Sequence, residues 1–173
     1  MFFCELGTDR LFLKNIGKTD GEFILSQFSD PEITRYLFDA EPLKTLNEAD
    51  EIIDFYLQPE PRNQHRWILK DKQTGILIGT CGFHYWNKDQ STVEIGYDLK
   101  VAFQGNGYMN EALRAIIEFA KNRMKVKTIN ACVYIKNAPS IRTVEKLGFI
   151  KSSSKNEHFR GEDYPHHIYT LTL

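Results

Sequence analysis

Six residues, Gln104-Gly105-Asn106-Gly107-Tyr108-Met109, connect a strand-like run to the strongest helical pattern in the chain, and Asn110 follows just inside it. A helix N-terminus carries unpaired N–H groups and a partial positive charge, so it suits phosphate. Glycines there let the backbone come close to an anion and adopt positive φ. Two glycines also serve an ordinary tight turn, so the loop alone leaves both uses open. Two other phosphate loops are excluded. No Gly-x-x-x-x-Gly-Lys-Ser/Thr string occurs. A dinucleotide fingerprint needs a third glycine, where Asn110 stands, and an acid at the end of the next strand, where Thr128 to Lys136 hold no carboxylate.

Other reactive side chains are scattered. Cys4, Cys81 and Cys132 are odd in number and far apart, which suits neither a disulfide framework nor a Cys-x-x-Cys zinc site. Cys81 and Cys132 lie in apolar, strand-like runs, where a small buried hydrophobe is expected. His166 and His167 are neighbours on a strand-like run, so they face opposite ways and cannot share a metal. No metal site is expected.

The elements that must position these residues follow from periodicity. Arg10 to Ile16 alternates as a first strand, and Asp20 can cap a helix with Phe23, Ile24 and Phe28 on its apolar side. Asp30-Pro31 starts a short helical piece, and a third helix follows Thr45, with Ala49, Ile52, Ile53 and Tyr56 inward. Pro59 and Pro61 stop it within a polar loop, Gln58 to Gln64. His65 to Lys70, Ile76 to Trp86 and Thr92 to Leu99 read as three strands joined by short turns, hence antiparallel. Asn110 to Met124 is a helix whose apolar positions recur at helical spacing. It crosses to a strand over Thr128 to Ile135, which allows a parallel neighbour. Asn137-Ala138-Pro139 opens a short helix that Gly148 closes. Phe149 to Ser154 and Tyr164 to Leu173 read as two strands around a polar loop. The expected fold is α/β of mixed character, with one domain over residues 1–173.

Composition narrows the partners. Among 173 residues, Lys and Arg number 22 against 23 Asp and Glu, a net charge of −1, which gives no electrostatic footprint for nucleic acid. Aromatics at 13% supply ample core, and no apolar run approaches a membrane span. Met1 to Glu5 lack a basic leader before an apolar stretch, so a cytoplasmic protein is expected, and unpaired cysteines fit that compartment.

Gln104-x-x-Gly107 before a long helix, Asn137-x-x-Ser140, and Glu145-Lys146-Leu147-Gly148-Phe149 together resemble the GCN5-related N-acetyltransferases (GNAT). The opening Thr8-Asp9-Arg10-Leu11-Phe12-Leu13 and the segment Glu94-Ile95-Gly96-Tyr97 are similar to the RimJ/RimL branch, the ribosomal-protein alanine acetyltransferases. The resemblance runs from about residue 8 to residue 173. It implies a central, mostly antiparallel twisted sheet of roughly seven strands flanked by helices. It also implies acetyl-CoA as acyl donor, coenzyme A as product and an amine acceptor, either a peptide N-terminus or a small amine, and it allows a homodimer. The pyrophosphate would rest on the backbone from Gln104 to Asn110, through Gly105, Asn106, Gly107, Tyr108 and Met109. The pantetheine arm would pair with Tyr97-Asp98-Leu99 like an added strand and receive a hydrogen bond from Asn137. Two positions depart from the family pattern: Met109 where glycine or alanine is common, and Val144 where many relatives carry a tyrosine that protonates the thiolate.

Thioester aminolysis needs a neutral amine, a polarised carbonyl and a proton for sulfur. An α-amino group titrates near 7.7–8.0 and a lysine near 10.4, a gap of roughly 2.5 units, so an α-amine needs little help from a base. Glu157, which resembles an acid carried by the branch between its last two strands, and Glu94, beside the implied cofactor, are the candidate bases. Each could equally be a solvated charge. Ser140 matches the branch's serine and could protonate or hydrogen-bond the sulfur, or serve only the first helical turn. Glu111 suits the helix macrodipole as a structural acid. His84, Tyr85 and Trp86 close one strand, where they can line an acceptor cleft, although Trp86 also suits core packing.

Overall fold

The computed structural model describes residues 2–173. In chain order the elements are β1 (Leu6–Gly7), β2 (Leu11–Asn15), α1 (Gly21–Ser29), α2 (Pro31–Thr34), α3 (Leu46–Tyr56), β3 (His65–Asp71), β4 (Leu77–Asn87), β5 (Thr92–Leu99), α4 (Tyr108–Phe119), β6 (Thr128–Tyr134), α5 (Ala138–Lys146), β7 (Ile150–Phe159) and β8 (Glu162–Thr172). The local signals work as chemistry requires. Asp30 accepts from the Glu32 and Ile33 amides at the head of α2, and Thr45 with Glu48 forms a capping box on α3. Asn137 accepts from the Ser140 amide at the head of α5. Asp20 makes no such cap on α1; its carboxylate holds Lys14 at 2.5 Å instead.

All eight strands form one sheet in the order β1-β2-β3-β4-β5-β6-β8-β7. Neighbours are antiparallel except β5 and β6, which the α4 crossover makes parallel. Two departures from the sequence reading stand out. The eighth strand, β1, has two residues and too little pattern to be recognised. The polar segment expected as a loop before Tyr164 is strand: β7 and β8 pair through Phe159↔Glu162 and turn on Arg160-Gly161. At the edge of the sheet most of β7 is exposed, so it carries no hydrophobic alternation to read.

Two cores cover the two faces. Met109, Leu113, Ile116 and Ala120 of α4 and its last turn pack on Trp67, Val93, Ile129 and Ala131. Ile24, Ala49 and Ile53 of α1 and α3 pack on Ile16 and Ile68. The last turn of the long helix, Ala120–Met124, is a π turn. No helix among the described residues is long and apolar enough to cross a membrane.

Candidate active site

The parallel pairing of β5 with β6 is brief. Thr92, Val93 and Glu94 match Thr128, Ile129 and Asn130, and no pairing follows. From Ile95 onward the two strands part, and one edge of β5 is left without a strand partner. The direction of its polar groups can be deduced. Lys100 N donates to Ile78 O at 2.8 Å, so Lys100 faces β4. Backbone groups alternate along an antiparallel pair, so Asp98 and Gly96 also face β4, while Leu99 and Tyr97 face the gap. The Gln104 side chain agrees, donating to Leu99 O at 2.9 Å. Of the three residues expected to pair with an inserted chain, Tyr97 and Leu99 therefore offer N–H and C=O groups to the gap, and Asp98 does not.

The gap opens into a cleft of about 410 Å³. Of the twelve residues expected to bind the cofactor, eleven line it, and Asn106 alone does not. Gly107 sits at φ +79° as the N-cap of α4, a left-handed conformation that a side chain would strain. Arg10 buttresses the loop from outside. It donates to Asn106 O at 2.9 Å, pairs with Glu111 at 2.7 Å, and stacks over the Tyr108 ring at 4.3 Å. Glu111 also accepts from the Thr8 hydroxyl at 2.6 Å. The Thr8-Asp9-Arg10 segment thus fixes the glycine loop, a role its position in sequence, about a hundred residues away, did not disclose. Met109 fits where a smaller residue is common because its side chain packs into the core under α4.

Sequence reasoning also missed the opposite wall. Ile33, Tyr36 and Leu37 close the cleft from α2 and the segment after it, and Arg142 and Lys146 line it from α5. Their i, i+4 spacing on a helix beside an anion-suited loop was the available signal. These two cations and the α4 N-terminus offer positive potential to a chain whose net charge is −1.

At the gap, Ser140 meets a partner. Its Oγ lies 2.6 Å from the Tyr97 hydroxyl. Burial pushes the Tyr97 phenol up to about 12 against the opposing hydrogen bond from Ser140, so it keeps its proton. Val144 is fully buried in the core and presents nothing to the cleft. Asn137 spends its Oδ1 on the Ser140 amide at 3.2 Å, and Asn110 ties α4 to α5 by donating to Thr143 O at 3.2 Å.

The two candidate bases lie together on the other face of the sheet, beyond the cleft lining. Glu94 is half-buried; burial raises its carboxyl above the ordinary value, nearby Lys155 lowers it, and the Glu157 and Asp39 carboxylates raise it further. Glu157 is not free. Its Oε1 holds Lys155 Nζ at 2.5 Å and stands 4.0 Å from Cys132 Sγ. Cys132 is half-buried against these charges, unlike Cys81, which is fully buried as expected.

Below them lies a buried polar network. Arg66 pairs with Asp98 at 3.0 Å, and Asp98 also accepts from Thr80 at 2.5 Å and Gln27 at 2.6 Å. Burial raises the Asp98 carboxyl even with Arg66 beside it. His84 Nε2 accepts from Arg66 at 3.2 Å and meets the Tyr56 hydroxyl at 3.3 Å, and burial and then Arg66 push it down to about 3. A Cβ on Gly96 would come within 3.2 Å of His84, which explains the glycine in Glu94-Ile95-Gly96-Tyr97. Tyr85 is 72% exposed at φ +52°, whereas Trp86 stacks on Phe2 at 5.4 Å and packs against the core. His166 and His167 do face opposite ways: His166 is buried and bonds Tyr164 O, while His167 reaches Ser154 on the exposed side.

Comparison with known proteins places this architecture. Residues 10–150 match the acetyltransferase (GNAT) domain family. The uncharacterized N-acetyltransferase YoaA of Bacillus subtilis (strain 168) is 31% identical over 98% of this chain and 97% of its own. YdaF of the same organism, named as a candidate ribosomal N-acetyltransferase, is 25% identical over 91% of this chain and 86% of its own. Among solved structures, spermidine N-acetyltransferase from Vibrio cholerae, in complex with CoA and spermine, superposes with a TM-score of 0.83 at 19% identity, covering 94% of this chain and 95% of that one.

Proposed function

Because the chain belongs to the GNAT family of N-acetyltransferases, we propose that it transfers the acetyl group of acetyl-CoA directly to a primary amine within a ternary complex. The observation that carries this reading is the open edge of β5, which runs from Ile95 past Leu99 into the glycine loop at the head of α4. Backbone groups of Tyr97 and Leu99 hold the pantetheine arm as a strand would. The α4 N-terminus, with Arg142 and Lys146, holds the phosphates. Bound there, acetyl-CoA supplies a thioester whose carbonyl lies toward the parting of β5 and β6.

This chain's residues supply the rest. The Tyr97 N–H, facing the gap, polarises the carbonyl. Glu94, its carboxyl raised above the ordinary value by burial, takes the proton of the attacking amine, directly or through water. Ser140, backed by the Tyr97 hydroxyl, supplies the proton to sulfur that a tyrosine at position 144 supplies in many relatives. We read residues 1–173 as one such domain, working in the reducing cytoplasm that its three unpaired cysteines fit.

The acceptor is read as a peptide N-terminal α-amine, which needs roughly 2.5 units less deprotonation than a lysine. The acids Glu94 and Glu157 favour a second reading, a small polycationic amine. An acceptor panel of Ala- and Ser-initiated peptides, polyamines, aminoglycosides and amino acids, followed by CoA thiol release, decides. Turnover confined to peptides with a free N-terminus supports the first reading, turnover of polyamines alone replaces it with the second, and none with any amine removes both.

A further inference from the structure

One cation lies among the candidate bases and has no part in the mechanism above. Lys155 stands on β7, the edge strand, opposite His166 on β8. Its side chain crosses the sheet face toward β6, so that Nζ sits 2.5 Å from Glu157 Oε1, the same carboxylate oxygen that Cys132 Sγ approaches at 4.0 Å. Cys132 lies two residues past Asn130, where the β5–β6 pairing ends opposite Glu94. The Lys155 amine therefore stands at the parting of the two strands, where the acyl end of a donor bound along β5 must lie. We propose that Lys155 is an acetylation site of the protein itself, modified by acetyl-CoA bound in its own cleft. The proposal rests on the acetyltransferase reading and adds to it a defined internal acceptor.

The step balances simply. The ammonium gives one proton to Glu157, and the freed lone pair attacks the thioester carbonyl carbon. The tetrahedral adduct collapses with cleavage of the C–S bond. The nitrogen sheds its second proton, sulfur takes one proton to leave as CoA thiol, and the net release is one proton to solvent. Tethering supplies the proximity that a free amine lacks.

The groups facing Nζ set the pH dependence: Glu157 on its own strand, Glu94 on β5, Cys132 on β6, His166 on β8, and Asp39, which adds its charge to Glu94. Burial is the largest single influence and works against the Lys155 charge, but the hydrogen bond to Glu157 together with the neighbouring Cys132, Glu157 and Glu94 outweighs it and holds the ammonium above its usual range. Self-acetylation is accordingly slow at neutral pH and rises about tenfold per pH unit while the amine remains mostly protonated. The product is a neutral amide, which releases Glu157 from its ion pair.

The test needs no external acceptor. The full chain is incubated with radiolabelled acetyl-CoA alone at pH 7, 8 and 9, and the label is located by peptide mapping and mass spectrometry. The expected result is label on Lys155 at about ten times the level on other exposed lysines such as Lys88 and Lys121. That label should fall to the background level in Gly107→Glu and disappear in Lys155→Arg. Label absent from Lys155, no higher there than elsewhere, or unchanged by Gly107→Glu overturns the proposal. Calorimetry with acetyl-CoA on the same samples separates the two claims. Binding without Lys155 label sinks the internal acceptor alone, and absence of binding sinks the enzyme reading as well.

Discussion

Glu94 and Glu157 sit close enough to feel one another, yet their surroundings give them different work. Glu157 neutralises Lys155, while Glu94 is more enclosed and has its carboxyl raised by burial. Glu94→Gln should therefore lower kcat about a hundredfold, in the usual range for a lost general base, while acetyl-CoA affinity stays unchanged. Equal losses in Glu157→Gln and none in Glu94→Gln would reverse the assignment. Tyr97→Phe should lower kcat less than Ser140→Ala and should leave KM for acetyl-CoA unaltered, because the phenol acts through Ser140. Asp98→Asn belongs to stability: it strands Arg66 as a buried charge and should cost about 3–5 kcal/mol in urea unfolding. Ser140 was legible from its spacing to Asn137. Its pairing with Tyr97 was not, because the two are 43 residues apart and only the β5 edge brings them together.

The decisive element is the short segment where β5 leaves β6. Sequence periodicity located both strands and the helix between them, and so allowed their parallel pairing. It could not show that the pairing stops after three residues, because Ile95 and Tyr97 alternate as any strand would. The same limit hid the second half of β7 beyond Ser154, where exposure on the sheet edge leaves Lys155 to His158 polar. The glycine loop was recognisable, but its support was not. Arg10→Ala removes a contact to Asn106 O and the pair with Glu111 without touching the cleft. Acetyl-CoA binding should weaken several-fold, while stability changes by no more than about 1 kcal/mol, as for other exposed pairs. Unchanged affinity would show that the loop holds its shape unaided.

At the scale of the whole molecule, buried His65 and half-buried His84 link the fold to pH. His65 stacks on Phe3 at 4.3 Å and bonds Asn15 Oδ1 at 2.9 Å, and burial with nearby Arg62 pushes it down to about 3. His84 is held down to about 3 by burial and Arg66. Unfolded histidine titrates near 6.5, so below that pH the unfolded chain binds protons that the folded one refuses. Stability is full above about pH 6.5 and falls as pH drops toward 3, by about 1.4 kcal/mol per unit for each histidine. Urea midpoints between pH 7 and 4 should follow that slope, and His84→Gln should flatten it by one proton. A midpoint that holds steady to pH 4 would mean that both rings accept protons in place. Neither histidine carried a sign of this in sequence, since burial is a property of the packed sheet.

The near-neutral charge of the chain conceals a cleft built for a polyanion, and that cleft is the centre of the account. Its most direct test is calorimetric titration of acetyl-CoA into the wild-type chain and into Gly107→Glu, with thermal unfolding of both as a check on folding. The account predicts one-to-one binding to the wild type, and a folded Gly107→Glu that binds at least about tenfold more weakly, because a carboxylate and a strained backbone then occupy the anion site. No binding to the wild-type chain, or equal binding to both, would contradict it.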